Sequence, residues 1–251
     1  GGGSKATYYI SLQANHDAGA LNTKKVYSFD NQVNIWSYTF QSNIDYNVTP
    51  TTKLGLRMNA QLRNTVGPYS DSNINTTHIF NQMLHVNPVD FPAEFPSSVD
   101  PAGADHVLFG NAYLSGHERF NPYAYMLSYY GEDFQNTILT TVSAEQKLDV
   151  ITQGLKLKAM VSFKNWSRSF FSRSIEPYYY NAAADSYDPY DPYAPNYTLE
   201  RIGTSGTDNI TESNIQKAGD RTVVFQASLE WQRQFNLHNL SAMFLYNQRE
   251  Y

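Results

Sequence analysis

The residues with the strongest chemical signature lie between Glu176 and Tyr197, in the run EPYYYNAAADSYDPYDPYAPNY. It carries Tyr178, Tyr179, Tyr180, Tyr187, Tyr190, Tyr193 and Tyr197, interspersed with Pro177, Pro189, Pro192 and Pro195. A tyrosine presents a flat apolar face and a hydroxyl tip while losing little conformational freedom, a combination suited to sugar faces or peptide side chains. The prolines bias the backbone toward an extended form. The seven tyrosines are therefore the candidate substrate-binding residues. Two other uses of the same rings fit the pattern equally: packing on one another to order a long loop, or contact with a partner protein.

Other chemistry is sparse. Asp185, Asp188 and Asp191 offer oxygen ligands, but they depart from the EF-hand spacing and read as turn-forming residues before proline. The histidines His16, His78, His85, His106, His117 and His238 are scattered, without the HExxH spacing of a zinc site, and His117-Glu118 lacks a second ligand nearby. No phosphate-cradling glycine loop or GxSxG elbow occurs; Gly203–Gly206 is turn-like. The chain has no cysteine, which excludes disulfides, thiolate metal sites and a cysteine nucleophile. Asn-x-Ser/Thr sequons begin at Asn47, Asn75, Asn165, Asn196, Asn209 and Asn239, several of them on or beside expected strands and turns. The expectation is a binding or transport protein without catalytic residues, metal or cofactor. A net charge of −5 with 18 Lys+Arg, and no basic run, speaks against a nucleic-acid partner.

The elements that must position these residues are strands. From Ser37 to Arg63 the sequence reads SYTFQSNIDYNV, TPTT, KLGLRMNAQLR. In the first arm Tyr38, Phe40, Ile44, Tyr46 and Val48 share one phase, and Ser37, Thr39, Gln41, Asn43, Asp45 and Asn47 the other. The return arm sets Leu54, Leu56, Met58, Ala60 and Leu62 against Lys53, Arg57, Asn59, Gln61 and Arg63. Period-2 alternation is the signature of a strand with two unlike faces. Each arm runs about ten residues or more, against about five to six for an ordinary strand. Five further strands are read the same way: one around Tyr8–Ala14, one over Phe134–Lys147, less clean because Leu139 spoils the phase opposite Ile138, Val142 and Ala144, one over Leu155–Lys164, one over Thr222–Trp231 and one over Leu240–Tyr246. Two short helices are expected, over His78–Val86 with Ile79, Met83 and Val86 on one side, and after Asn121, which caps a helix with Pro122 in its first turn.

The connections alternate. Residues 49–52, about 148–154 and 236–239 are short turns, whereas about 17–32, 64–133 and 167–220 are long and irregular. Compact domains rarely hold structureless loops beyond about fifteen residues. An outer-membrane β-barrel has short turns on one rim and long loops on the other. A tilted spanning strand needs about nine to eleven residues. Aromatics gather near strand ends, at Tyr8, Trp36, Tyr38, Tyr46, Trp166, Trp231, Phe235 and Tyr246, where interfacial girdles lie. Apolar runs are too short for a membrane-spanning helix, and a mean hydropathy of −0.51 is what alternating barrel strands average to. The competing architecture is a soluble β-sandwich with a one-sided core, acting as a secreted glycan-binding module. Seven strands are too few and odd in number for a single-chain barrel, so the expectation is an arc of a larger wall. The polar phase would then face a lumen.

The stretches GGGSKATYYISLQ (1–13), YTFQSNIDYNVTPTTKLGLRMNAQL (38–62), NPYAYM (121–126), DFQNTILTTVSAEQKLDVITQGLKLKAMVSF (133–163) and FNLHNLSAMFLYNQREY (235–251) resemble the central barrel portion of a SusC/RagA-type TonB-dependent outer-membrane transporter. The resemblance implies an all-β fold in which residues 1–251 form part of a transmembrane barrel of about twenty-two strands. It implies uptake of oligosaccharides or peptides across the outer membrane, a SusD-like surface lipoprotein as partner, and energy from TonB. The plug domain, its TonB-contacting segment and the signal peptide have no counterpart within these residues.

Overall fold

The computed structural model describes residues 1–70, 73–99, 103–114, 117–183 and 198–251. Seven long strands form one sheet: β1 (Ala6–Ala18), β2 (Asn34–Asn47), β3 (Thr52–Ser70), β4 (Tyr129–Lys147), β5 (Leu155–Ser174), β6 (Gln216–Phe235) and β7 (His238–Glu250). They follow one another in chain order and every adjacent pair is antiparallel. They run from 13 to 20 residues. The sheet does not close: β1 and β7 are its two edges.

The short connections fit local chemistry. At Thr49-Pro50 the Thr49 hydroxyl oxygen accepts from the Thr51 and Thr52 amides at 3.2 and 3.0 Å. Between β4 and β5 the Asp149 carboxylate accepts from the Gly154 amide at 2.8 Å. Gly154 has φ +85°, and a Cβ there would sit 1.8 Å from the Gln232 carbonyl oxygen, so glycine is required. The last turn is tighter than the expected 236–239. Phe235 pairs with His238, leaving Asn236 and Leu237 as a two-residue loop, with Asn236 at φ 49°, a conformation asparagine tolerates better than most residues.

The strands also reach further than alternation indicates. β3 continues from Asn64 through Gly67 to Pro68, paired against Tyr130–Phe134 of β4, and its last residues Tyr69 and Ser70 pair back with Ile74 and Asn73. Glycine and proline break the sequence signal there, but the partner strand carries the ladder on, and the Pro68 carbonyl still accepts from the Asn75 amide at 3.0 Å. Likewise β5 runs to Ser174 and β6 starts at Gln216, inside the stretch read as irregular.

The long connections gather at one end of the sheet and fold into a cap. It holds α1 (Thr77–His85), α2 (Pro122–Ser128) and a small sheet of Phe109–Gly110, Tyr179–Ala182 and Leu199–Ile202, in which Tyr179–Ala182 pairs parallel to the first and antiparallel to the last. Asn121 caps α2 as expected, accepting from the amides of Tyr123 and Ala124 at 2.9 and 3.0 Å. Its own amide group donates to the carbonyls of Ala93 and Gly110, both at 2.8 Å. In α1 Ile79 is fully buried and His78 packs its ring on Phe120 and Tyr125; Met83, expected on the same face as Ile79, is 52 % exposed.

The apolar core lies in this cap and not on the sheet. Ile79, Phe109, Ala124, Met126 and Leu127 form one cluster, Phe95, Leu108, Ala182 and Leu199 another. Among the described residues, Phe170 and Pro68, both at the capped end, are the buried apolar side chains of residues larger than alanine on the long strands. The sheet's apolar face stays open even on its inner strands: Val142 is 52 % exposed, Val161 45 % and Leu229 40 %.

That open apolar face forms a belt, and the belt is oblique to the ladder. Its border on the capped side is Trp36 on β2, Leu62 on β3, Ile138 on β4, Phe163 on β5 and Val223 on β6. By register, Trp36 stands level with Lys217 through Asn64, Phe134 and Ser169, whereas Phe163 stands level with Val223. The border thus shifts from Lys217 to Val223, about 20 Å at 3.3 Å per residue, across four strand spacings of about 4.8 Å. Strands and belt are inclined by about 45°. The opposite border shifts the same way, from Tyr46, level with Ala227, to Trp231.

Candidate functional site

The opposite face of the sheet is polar because it carries the other phase of each strand. Register places Asn43 opposite Arg57, Gln41 opposite Asn59, Thr39 opposite Gln61 and Ser37 opposite Arg63, so the expected polar phase of the central hairpin does share one face. Toward the short turns this face hollows into a groove of about 390 Å³, lined by residues of β2 through β6. Gly55 lies in its floor. A Cβ at that position would meet the Ser143 hydroxyl at 2.5 Å and the Asp45 carboxylate at 3.2 Å, so its absence lets those side chains converge.

Two ion-paired clusters cross the strands of the groove. Asp45 receives Arg57 Nη2 at 2.7 Å and Lys53 Nζ at 3.3 Å. Lys158 donates to both oxygens of Glu230, at 3.0 and 2.7 Å, and the Ser228 hydroxyl adds a bond to Glu230 at 3.3 Å. Thr141 donates to Ser162 at 3.0 Å. Between the two clusters stands Glu145, opposite Lys53 on one side and Lys158 on the other, so basic and acidic groups alternate across the groove. Such a surface can hold a polar segment by hydrogen bonds and by exchanging ion-pair partners.

Closer to the cap the same face carries a more enclosed pair. Arg168 grips Asp133 with two parallel bonds, Nε to Oδ1 and Nη2 to Oδ2, both 2.8 Å, and Nη2 also reaches Asn73 at 3.0 Å. The fork geometry is the strong form of carboxylate recognition. It ties β4, β5 and the connection after β3 together.

The tyrosine-rich run divides. Tyr187, Tyr190, Tyr193 and Tyr197, with Asp185, Asp188 and Asp191, lie outside the described residues. Tyr178, Tyr179 and Tyr180 serve the cap. Tyr178 stacks on His106 with centroids 4.0 Å apart, the Arg201 guanidinium lies over the ring at 4.9 Å, and Gly206 abuts it. Tyr179 packs against the Ile79–Phe109 cluster. The Tyr180 hydroxyl and His106 Nε2 are 2.7 Å apart. For these three, packing is the use the structure displays.

Sequence reading missed His106 as the centre of this aromatic stack, and no spacing signals it. It also missed Lys24, which crosses from the first long connection to Glu94 at 2.5 Å and lies 5.9 Å over the Tyr123 ring. Burial lowers the Lys24 pKa, but the Glu94 carboxylate more than offsets this and leaves it above the ordinary lysine value. Burial, and then the Glu94 charge, push the Tyr123 hydroxyl up. No group of three histidine or acidic residues suited to a metal occurs among the described residues. The chain matches no protein-family model and no curated protein.

Proposed function

We propose that this chain is a section of the wall of an outer-membrane β-barrel that imports oligosaccharides, with peptides as the second substrate class, in the manner of a SusC-like TonB-dependent transporter. In this reading the sheet is part of a larger closed barrel of about twenty-two strands. The apolar belt faces lipid, the polar groove faces the lumen, and the cap stands on the cell surface beside a SusD-like lipoprotein. Energy would reach the barrel from TonB through parts outside residues 1–251.

The observation that carries the proposal is the belt. Its large apolar side chains are uncovered on strands in the middle of the sheet, where a sandwich would bury them beneath a second sheet. On β3 it runs from Leu54 to Leu62 and on β6 from Val223 to Trp231, about the nine to eleven residues that span a bilayer. The inclination of about 45° is the tilt of barrel strands.

The test is extraction and uptake. The protein should leave outer membranes only with detergent, migrate differently on gels before and after heating, and be needed for growth on an oligosaccharide. A monodisperse, detergent-free protein that binds glycan would instead establish the secreted binding module and overturn the import reading.

A further inference from the structure

On the belt face of β6 the side chains run Arg221, Val223, Phe225, Ala227, Leu229, Trp231, Arg233. An arginine closes each end of an unbroken apolar series. Along the strand the two are about 40 Å apart at 3.3 Å per residue. With the strands inclined by about 45°, as the belt borders require, their separation along the belt normal is about 28 Å. A bilayer's hydrocarbon core is about 30 Å thick and a barrel's apolar band about 25 Å tall. The two backbone positions therefore fall at the edges of the apolar band, from which the long arginine side chains reach outward to the depth of the lipid phosphates.

Their surroundings leave them available. Both are exposed, and among the described residues neither forms an ion pair. Arg221 stands opposite Asn165, with Lys217 two outward positions further along β6; Ser167 stands opposite Gly219 between them. The nearest carboxylate by register is Glu250, opposite Val223, one outward position below Arg221. Arg233 stands opposite Leu240 and lies 5.0 Å over the Phe235 ring, which holds the guanidinium against the belt's lower aromatic edge. A guanidinium is weakly hydrated and matches phosphate in a two-pronged way, whereas a carboxylate facing lipid headgroups would be repelled.

We propose that Arg221 and Arg233 are a pair of lipid-phosphate sites, one per leaflet, that fix the depth at which β6 crosses the membrane. The inference rests on the membrane reading of the belt. The complete barrel protein that carries residues 1–251 is refolded into vesicles of phosphatidylglycerol and, separately, of the phosphate-free digalactosyl diacylglycerol with matched acyl chains, and its unfolding equilibrium is measured in each. The wild type should favour the folded state by about fivefold per arginine in the phospholipid relative to the galactolipid. Arg221→Gln and Arg233→Gln should each remove one share, the double variant should not distinguish the lipids, and Lys at both positions should keep part of the preference. A double Gln variant that retains the full phospholipid preference overturns the proposal. Insertion into both lipids with equal stability overturns it while leaving the membrane wall intact, and failure to insert into either defeats the belt reading itself.

Discussion

Placing a charge in the middle of the belt gives the sharpest test of which face meets lipid. Met58 is the central outward residue of β3 between Leu54 and Leu62, flanked across the ladder by Ser42 and Thr140. If that face contacts hydrocarbon, Met58→Arg should cost about 2–4 kcal/mol, the range for an arginine at the mid-plane of a barrel. Taking 3 kcal/mol, the folding equilibrium falls about 150-fold. At Leu62, on the belt border, the same substitution should cost only about 0–1 kcal/mol. Asn59→Arg, one residue along and facing the groove side, should change stability by no more than about 0.5 kcal/mol. The assay is urea unfolding in phosphatidylcholine vesicles, followed by tryptophan fluorescence and by the heat-dependent shift on gels. A soluble sheet wet on that face would tolerate all three within about 0.5 kcal/mol. A flat profile across Met58, Leu62 and Asn59 would therefore refute the facing assignment and the import reading built on it.

Asn121→Ala removes a helix cap and two bonds to buried carbonyls, so the cap should lose about 2–3 kcal/mol and become protease-sensitive while the sheet's heat-dependent gel shift persists. Asp133→Asn leaves Arg168 partly enclosed without its counter-charge; a fall in the thermal midpoint in detergent is expected, larger than for Glu230→Gln in the more exposed Lys158 pair. Alanine at Tyr187, Tyr190, Tyr193 and Tyr197 together should weaken oligosaccharide binding, read by calorimetry, with the cap intact. Tyr180→Phe should loosen the cap around His106 and leave affinity unchanged; the reverse pattern would move the ligand onto the Tyr178–Tyr180 stretch.

Alternation alone located all seven long strands and their order of short and long connections, because each strand has one face apolar and one face polar and a slip by one residue would exchange them. The Ser37–Arg63 hairpin even carries its register in the sequence, Tyr38 against Leu62 and Ile44 against Leu56. Legibility fails where tertiary partners replace local signal. Gly67-Pro68 looks like the end of β3, yet β4 keeps the ladder going. Met83 fits the helical period of α1, yet only Ile79 of that face meets the cap core and Met83 stays exposed. His106 becomes important only because residues far apart in the chain, Tyr178, Tyr180 and Arg201, arrive around it.

The cap draws its interior from distant parts of the chain: Leu21 and Val26 come from the first long connection, Ile79, Phe109 and Leu127 from the second, and Tyr179 from the third. The cluster is complete only when all three segments are in place, so the cap should form or fail as a unit. Exchanging one of these loops for that of another protein would strip the lining from the other two. Diversification of this cap should therefore proceed by replacing all three connections together, on a ladder that stays as it is.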